Sequence, residues 1–120
     1  MTDLIQKTVL IVEDDVLISL DLTQIAEGAG CRVMGPYTSA AKAYEALNGS
    51  SPDMALVDFD LGDHTSADLL GTLLDRAVPV TILSGHPREE LPAPLRGLDI
   101  MQKPVVQRDL ERRLADDEAE

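Results

Sequence analysis

The sequence is short of several things that define whole classes of protein. Its one cysteine, Cys31, rules out any disulfide within the chain and reads as a structural core residue, having no second cysteine for a partner. Lys and Arg number only 10 against 22 Asp and Glu, a formal net charge of −12. Nucleic acids and anionic lipids are gripped chiefly through Lys and Arg, so neither is an expected partner. Metal cations or a basic protein surface suit this charge better. No apolar run approaches the roughly 20 residues that span a bilayer. The start, Met1-Thr2-Asp3, is acidic and leads into a strand pattern, unlike a secretory signal. The expected location is therefore cytoplasmic. There is no internal repeat and no linker-like stretch.

What is present fits one folded domain. The 120 residues are too few for two ordinary cores, and 44% apolar residues are too many for a disordered chain. The expected organisation is a domain over residues 1–115 followed by a charged tail, residues 116–120, with no output domain.

Short β-branched runs alternate with helical patterns. Thr8-Val9-Leu10-Ile11-Val12 is continuously apolar, as a strand buried on both faces must be, and runs into Glu13-Asp14-Asp15. Ile18, Leu22, Ile25 and Ala29 then recur at helical spacing, closed by Gly28 and Gly30. Arg32-Val33-Met34 predicts a short second strand stopped by Gly35-Pro36. Ser39 can cap a second helix running to about Leu47, before the breaker run Asn48-Gly49-Ser50-Ser51-Pro52. A third strand, Met54-Ala55-Leu56-Val57, ends on Asp58. The third helix is expected from Ser66 to about Arg76, with Leu69, Leu70, Leu73 and Leu74 inward. Val78 to Leu83 predicts the fourth strand, Ile100 to Gln102 the fifth, and Val106 to about Ala115 the last helix. Pro92 and Pro94 remove amides from what would be the fourth helix, which is expected to be short or irregular.

This alternation implies a parallel sheet with helices on both faces, and in such sheets ligands bind at the carboxyl ends of the strands. Polar residues sit at four of those ends: Glu13 and Asp14, Asp58, Ser84, and Lys103. Three carboxylates in one place repel one another, roughly 4 kcal/mol for two unit charges ~4 Å apart at an effective dielectric of ~20. Lys103 offsets part of that, and a hard divalent cation with oxygen ligands such as Mg²⁺ would offset more. A carboxylate beside Mg²⁺, a lysine and a hydroxyl is equipped for phosphoryl transfer. Ser84 can donate to a phosphoryl oxygen, and the Gly85 amide can approach closely because glycine has no Cβ.

Thr8 to Asp15, Leu56-Val57-Asp58, Leu83-Ser84-Gly85 and Lys103-Pro104, in that order and spacing, resemble the receiver domain of two-component response regulators. The resemblance covers nearly the whole chain. It implies a doubly wound, flavodoxin-like α/β fold with a five-stranded parallel sheet in the order 2-1-3-4-5. It implies that Asp58 takes a phosphoryl group from a phosphohistidine of a sensor histidine kinase or phosphotransfer protein, and that the chain is no enzyme in its own right. Mg²⁺ would be held by Asp58, Asp14, Glu13 through water, and the Asp60 carbonyl. Ser84, Gly85, Lys103 and the Phe59 backbone would bind the phosphoryl group. Asp60 and His86 occupy the positions that tune phosphoryl lifetime, and Ser84 and Ile100 those of the switch. Ile100 stands where an aromatic is usual, and an aliphatic side chain has no ring to swing between exposed and buried positions. The Lys103-Pro104 peptide is expected to be cis. The stretch Leu61-Gly62-Asp63-His64-Thr65-Ser66 departs from the usual pattern after the phosphoacceptor, with His64 read as an ordinary loop residue.

Other residues keep two readings. Asp15 is either a further acid of the site or an anion at the first helix's N-terminus. Arg108, Arg112 and Arg113 form a basic stripe beside Glu111, as a solvated face or a docking patch. Two other functions compete: a phosphatase resembling the haloacid dehalogenase group, on the strength of Asp58-Phe59-Asp60, and a non-phosphorylated pseudo-receiver serving as an interaction module.

Overall fold

A computed structural model describes residues 6–61, 64–65 and 67–115. The N-terminal Met1-Thr2-Asp3, the loop residues Gly62 and Asp63, the Ser66 cap and the tail 116–120 lie outside the described residues.

Strands β1 (Thr8–Val12), β2 (Arg32–Tyr37), β3 (Met54–Asp58), β6 (Val80–Ser84) and β7 (Asp99–Gln102) form one parallel sheet in the order β2-β1-β3-β6-β7. A separate two-residue hairpin pairs β4 (Asp60–Leu61) with β5 (His64–Thr65). With that hairpin set aside, the order is the expected 2-1-3-4-5.

The period-two geometry of a strand sends alternate residues to opposite faces, and both faces here are apolar. Leu10, Val12, Ala55, Val57 and Ile82 join one buried cluster with Leu47, Leu69, Leu70 and Leu73. These partners come from α2 (Ala40–Leu47) and α3 (Ala67–Asp75). Val9, Ile11, Leu56 and Leu83 join the other with Leu22, Ala26, Leu110 and Leu114, from α1 (Val16–Gly28) and α4 (Gln107–Ala115). Cys31 is buried in that second cluster, as a structural cysteine should be.

Several expectations need correction. The second strand does not stop at Gly35-Pro36 but continues to Tyr37. Gly35 takes φ +106°, and a Cβ there would lie 2.8 Å from the Tyr37 nitrogen and 3.0 Å from the Ile11 carbonyl oxygen, so the bend requires glycine. Pro36 is tolerated because β2 is an edge strand, and the register with β1 shifts between Leu10 and Val12 to absorb the bend. The fourth strand of the main sheet begins at Val80, after Pro79, and ends on Ser84 itself. Leu74 is 42% exposed, since it lies one position round the helix from the fully buried Leu73 and off the stripe of Leu69, Leu70 and Leu73 that covers the sheet. His64 belongs to a strand pair rather than a loop.

The proline-broken fourth helix is replaced by two 3₁₀ turns, Arg88–Glu90 and Ala93–Leu95, with Leu91 and Leu95 buried. The arginine stripe is also divided. Arg113 donates to both carboxylate oxygens of Asp99, at 2.8 and 3.1 Å, while Arg108 and Arg112 stay exposed. Asp99 also accepts from the Thr81 hydroxyl at 2.8 Å. Burial alone would raise the Asp99 pKa, but the hydrogen bonds from Arg113 and Thr81 and the charges of Arg113 and Arg88 hold it below the usual value.

Candidate functional site

The carboxyl ends of β1, β3, β6 and β7 open into one cavity of about 250 Å³. It is lined by Glu13, Asp14, Asp15, Ile18, Asp58, Phe59, Asp60, Ser84, Gly85, His86 and Lys103. Every strand-end residue singled out in the sequence is in that lining. Ile100 is not: it is buried in the core cluster that α3 covers.

Ladder hydrogen bonds and short backbone links fix each position. The bend in β2 aims the Tyr37 carbonyl at the Glu13 amide, a 2.9 Å hydrogen bond that holds the turn after β1. The Phe59 amide donates to the Leu83 carbonyl at 2.9 Å, and the Lys103 amide to the Ser84 carbonyl at 2.8 Å. Asp15 is the N-cap of α1, its carboxylate accepting from the Ile18 amide at 3.1 Å, and it also lines the cavity, so both readings of it hold. The Lys103-Pro104 peptide is cis, as expected.

Asp58 is 3% exposed and Glu13 fully buried. The Lys103 ammonium lies 3.2 Å from Asp58 Oδ2, 3.0 Å from Glu13 Oε1 and 3.4 Å from Glu13 Oε2. Asp58 Oδ1 accepts from the Asp60 amide at 3.2 Å, and Glu13 Oε2 from the Asp15 amide at 3.1 Å. Although the ammonium is close to Glu13 Oε1, that buried oxygen takes no hydrogen bond from the described residues.

One lysine does not balance these acids. Burial pushes the Glu13 carboxyl up to about 7, against the Asp15 amide and Lys103, with the charge of Asp58 adding to the rise. Burial likewise raises Asp58, opposed by hydrogen bonding to Glu13 and by the charge of Lys103. Lys103 is held above its usual value: burial works against the ammonium, but its hydrogen bond to Glu13 and the charge of Asp58 outweigh that. Carboxylate oxygens of Glu13, Asp14 and Asp58 lie within 4.8 Å of one another. An under-coordinated set of hard oxygen donors carrying surplus negative charge fits a small divalent cation.

Ser84 is 1% exposed and engaged with its own loop: its hydroxyl accepts from the His86 amide and donates to the His86 carbonyl, both at 2.9 Å. The His86 ring turns outward, with Nδ1 3.3 Å from Glu90 Oε1. Sequence reasoning missed Gln102, whose side-chain amide donates to the same His86 carbonyl at 3.3 Å. Its place just before Lys103 was the only signal available.

A doubly wound sheet with acids, a serine and a lysine at four strand ends defines a receiver module. The family model "Response regulator receiver domain" matches residues 9–115, and the chain belongs to that family, the receiving module of two-component signalling. This displaces the phosphatase alternative. Among similar proteins, the phyllosphere-induced regulator PhyR of Methylorubrum extorquens is 34% identical over 89 residues, 69% of this chain. The chain spans 32% of the length of that relative. The receiver domain of Erythrobacter litoralis PhyR has a TM-score of 0.82 at 25% identity, covering 93% of this chain and 89% of that one. PhyR from Brucella abortus has a TM-score of 0.77 at 26% identity, covering 94% of this chain and 47% of that one. Among the described residues no helix is long and apolar enough to cross a membrane.

Proposed function

We propose that Asp58 accepts a phosphoryl group from the phosphohistidine of a sensor kinase or phosphotransfer protein, with Mg²⁺ bound, and that the chain then acts through protein contacts or onward phosphotransfer. The observation that carries this is Asp58 itself. It is buried at a strand end and faces a cavity, one oxygen held by the Asp60 amide and the other beside the Lys103 ammonium. In the transfer an Asp58 oxygen bonds to phosphorus as the phosphorus–nitrogen bond breaks. The bonding pair leaves with the imidazole.

The residues divide the remaining work. Glu13, Asp14, Asp58 and the Asp60 carbonyl would hold Mg²⁺, which when bound neutralises charge on the phosphoryl oxygens. Lys103, already within reach of Asp58, would pair with the transferred group, and Ser84 and the Gly85 amide would donate to it. The Phe59 amide, expected among these donors, is committed to the Leu83 carbonyl at 2.9 Å instead. His86 and Asp60, on the rim, would govern how water reaches the acyl phosphate.

The test is intact-protein mass after incubation with acetyl phosphate and Mg²⁺. Wild type should gain one phosphoryl mass and Asp58→Ala none. An equal gain on Asp58→Ala sinks the assignment, and no gain on wild type leaves the interaction-module reading in its place.

A further inference from the structure

We infer that Gln102 is a positioning residue that sets how readily Ser84 turns toward a phosphoryl group on Asp58. This rests on the phosphoacceptor reading of Asp58 and adds a control to it. A serine hydroxyl has one proton to donate. In this structure that proton goes to the His86 carbonyl, 2.9 Å away, and the same oxygen accepts the His86 amide, also at 2.9 Å. Ser84 can therefore donate to a phosphoryl oxygen only by giving up the His86 carbonyl.

Taking a protein donor from a loop carbonyl is unfavourable, though modestly so at an exposed residue such as His86, where water replaces part of the bond. The Gln102 side-chain amide reaches that carbonyl at 3.3 Å from the neighbouring strand end. It is a second donor already in place, so the carbonyl keeps a partner when Ser84 departs. The two strand ends are also joined through the backbone, Lys103 amide to Ser84 carbonyl at 2.8 Å, which fixes where the Gln102 side chain starts. Ile100, the position of an aromatic in similar domains, is buried in the core. The polar link through Gln102 connects the β7 strand end with the Ser84 loop directly.

Removing the Gln102 donor weakens the closed arrangement slightly, since Ser84 still serves the carbonyl, but in the open one it leaves that carbonyl to water, with no other side-chain donor to it among the described residues. Opening should become harder. In unphosphorylated protein, hydrogen exchange at the His86 amide should therefore slow about threefold in Gln102→Ala, the lower end of a hydrogen bond's net worth because the site is partly wet. Phosphoryl uptake from acetyl phosphate should slow by a similar factor. Gln102→Lys restores a donor and should return both rates toward wild type. A staple that merely stiffened the loop would show the opposite sign, with faster exchange in Gln102→Ala. Unchanged or faster exchange, or equal uptake in wild type and Gln102→Ala, overturns the Gln102 inference alone. A wild type that takes up no phosphoryl mass overturns the reading of Asp58 and the role of Gln102 with it.

Discussion

The acidic cavity and the segment joining β6 to β7 both hold irregular backbone in one conformation, by different means. The cavity hangs on β1 and β3, each flanked by a strand on both sides, and their residues Val9 to Val12 and Ala55 to Val57 are fully buried. Its loops inherit their positions from the sheet. The segment from Pro87 to Leu98 has no ladder, and its prolines withdraw amides that a helix would use. Two buried leucines anchor it, and two arginines tie down its carbonyls: Arg96 donates to Leu91 at 2.9 Å, and Arg88 to Leu98 at 3.3 Å and to Arg96. A scaffold fixed by a sheet can carry repelling charges without changing shape. A scaffold fixed by a few side chains stands or falls with each of them.

The largest effect should come from Leu91, which is 1% exposed in a segment with little else to hold it. Leu91→Ala should lower the unfolding free energy by about 3 kcal/mol, a lost side chain plus a poorly refilled cavity. Urea denaturation measures this. Mg²⁺ affinity should stay within about twofold, because the sheet ends are held independently. A parallel loss of Mg²⁺ affinity would break the contrast between the two regions.

The cavity should respond in the opposite direction. Asp58→Asn removes one of the crowded charges and leaves Lys103 to Glu13, so the metal-free protein should gain about 1–2 kcal/mol in stability. The pH dependence sharpens this. Glu13 is raised from 4.5 to about 7 in the folded protein, so between those values the folded state binds more protons than the unfolded one. Metal-free stability should therefore rise as pH falls through about 7 toward 4.5. In Asp58→Asn the rise should be smaller, since one cause of the Glu13 shift is gone. Saturating Mg²⁺ should also flatten it by favouring the carboxylate. Thermal melts across that range, with and without Mg²⁺, decide it. Destabilisation by Asp58→Asn without metal would mean that the carboxylates are not in conflict.

The same contrast explains what the sequence disclosed. Apolar runs ending in Glu13, Asp58, Ser84 and Lys103 are visible because burial on both faces leaves an unbroken hydrophobic string, and the chemistry begins where the string stops. The passage of β2 through Gly35-Pro36 was hidden, since it depends on a positive φ and on Ile11 across the sheet. The pairing of Arg113 with Asp99 was hidden for a similar reason: fourteen residues separate them, and only the packing of α4 beside β7 brings them together. Pro92 and Pro94 foretold that no regular helix would form, but not that Leu91 and Leu95 would anchor what replaces it.

The smallest effect belongs to Arg96. Its guanidinium Nε donates to the Leu91 carbonyl at 2.9 Å while its own carbonyl accepts from Arg88, so each arginine steadies backbone that the other depends on. The side chain is largely exposed, and water can replace part of what it gives. Arg96→Ala should therefore lower stability by about 1 kcal/mol or less. The local signature should exceed the global one: exchange at the Leu91 and Leu95 amides, which close the two 3₁₀ turns at 3.1 and 2.9 Å, should quicken several-fold. Exchange in β1 and β3 should not move. If the two turns keep their protection in Arg96→Ala, the buried leucines alone hold the segment, and it is more like the sheet-borne cavity than its lack of a ladder implies.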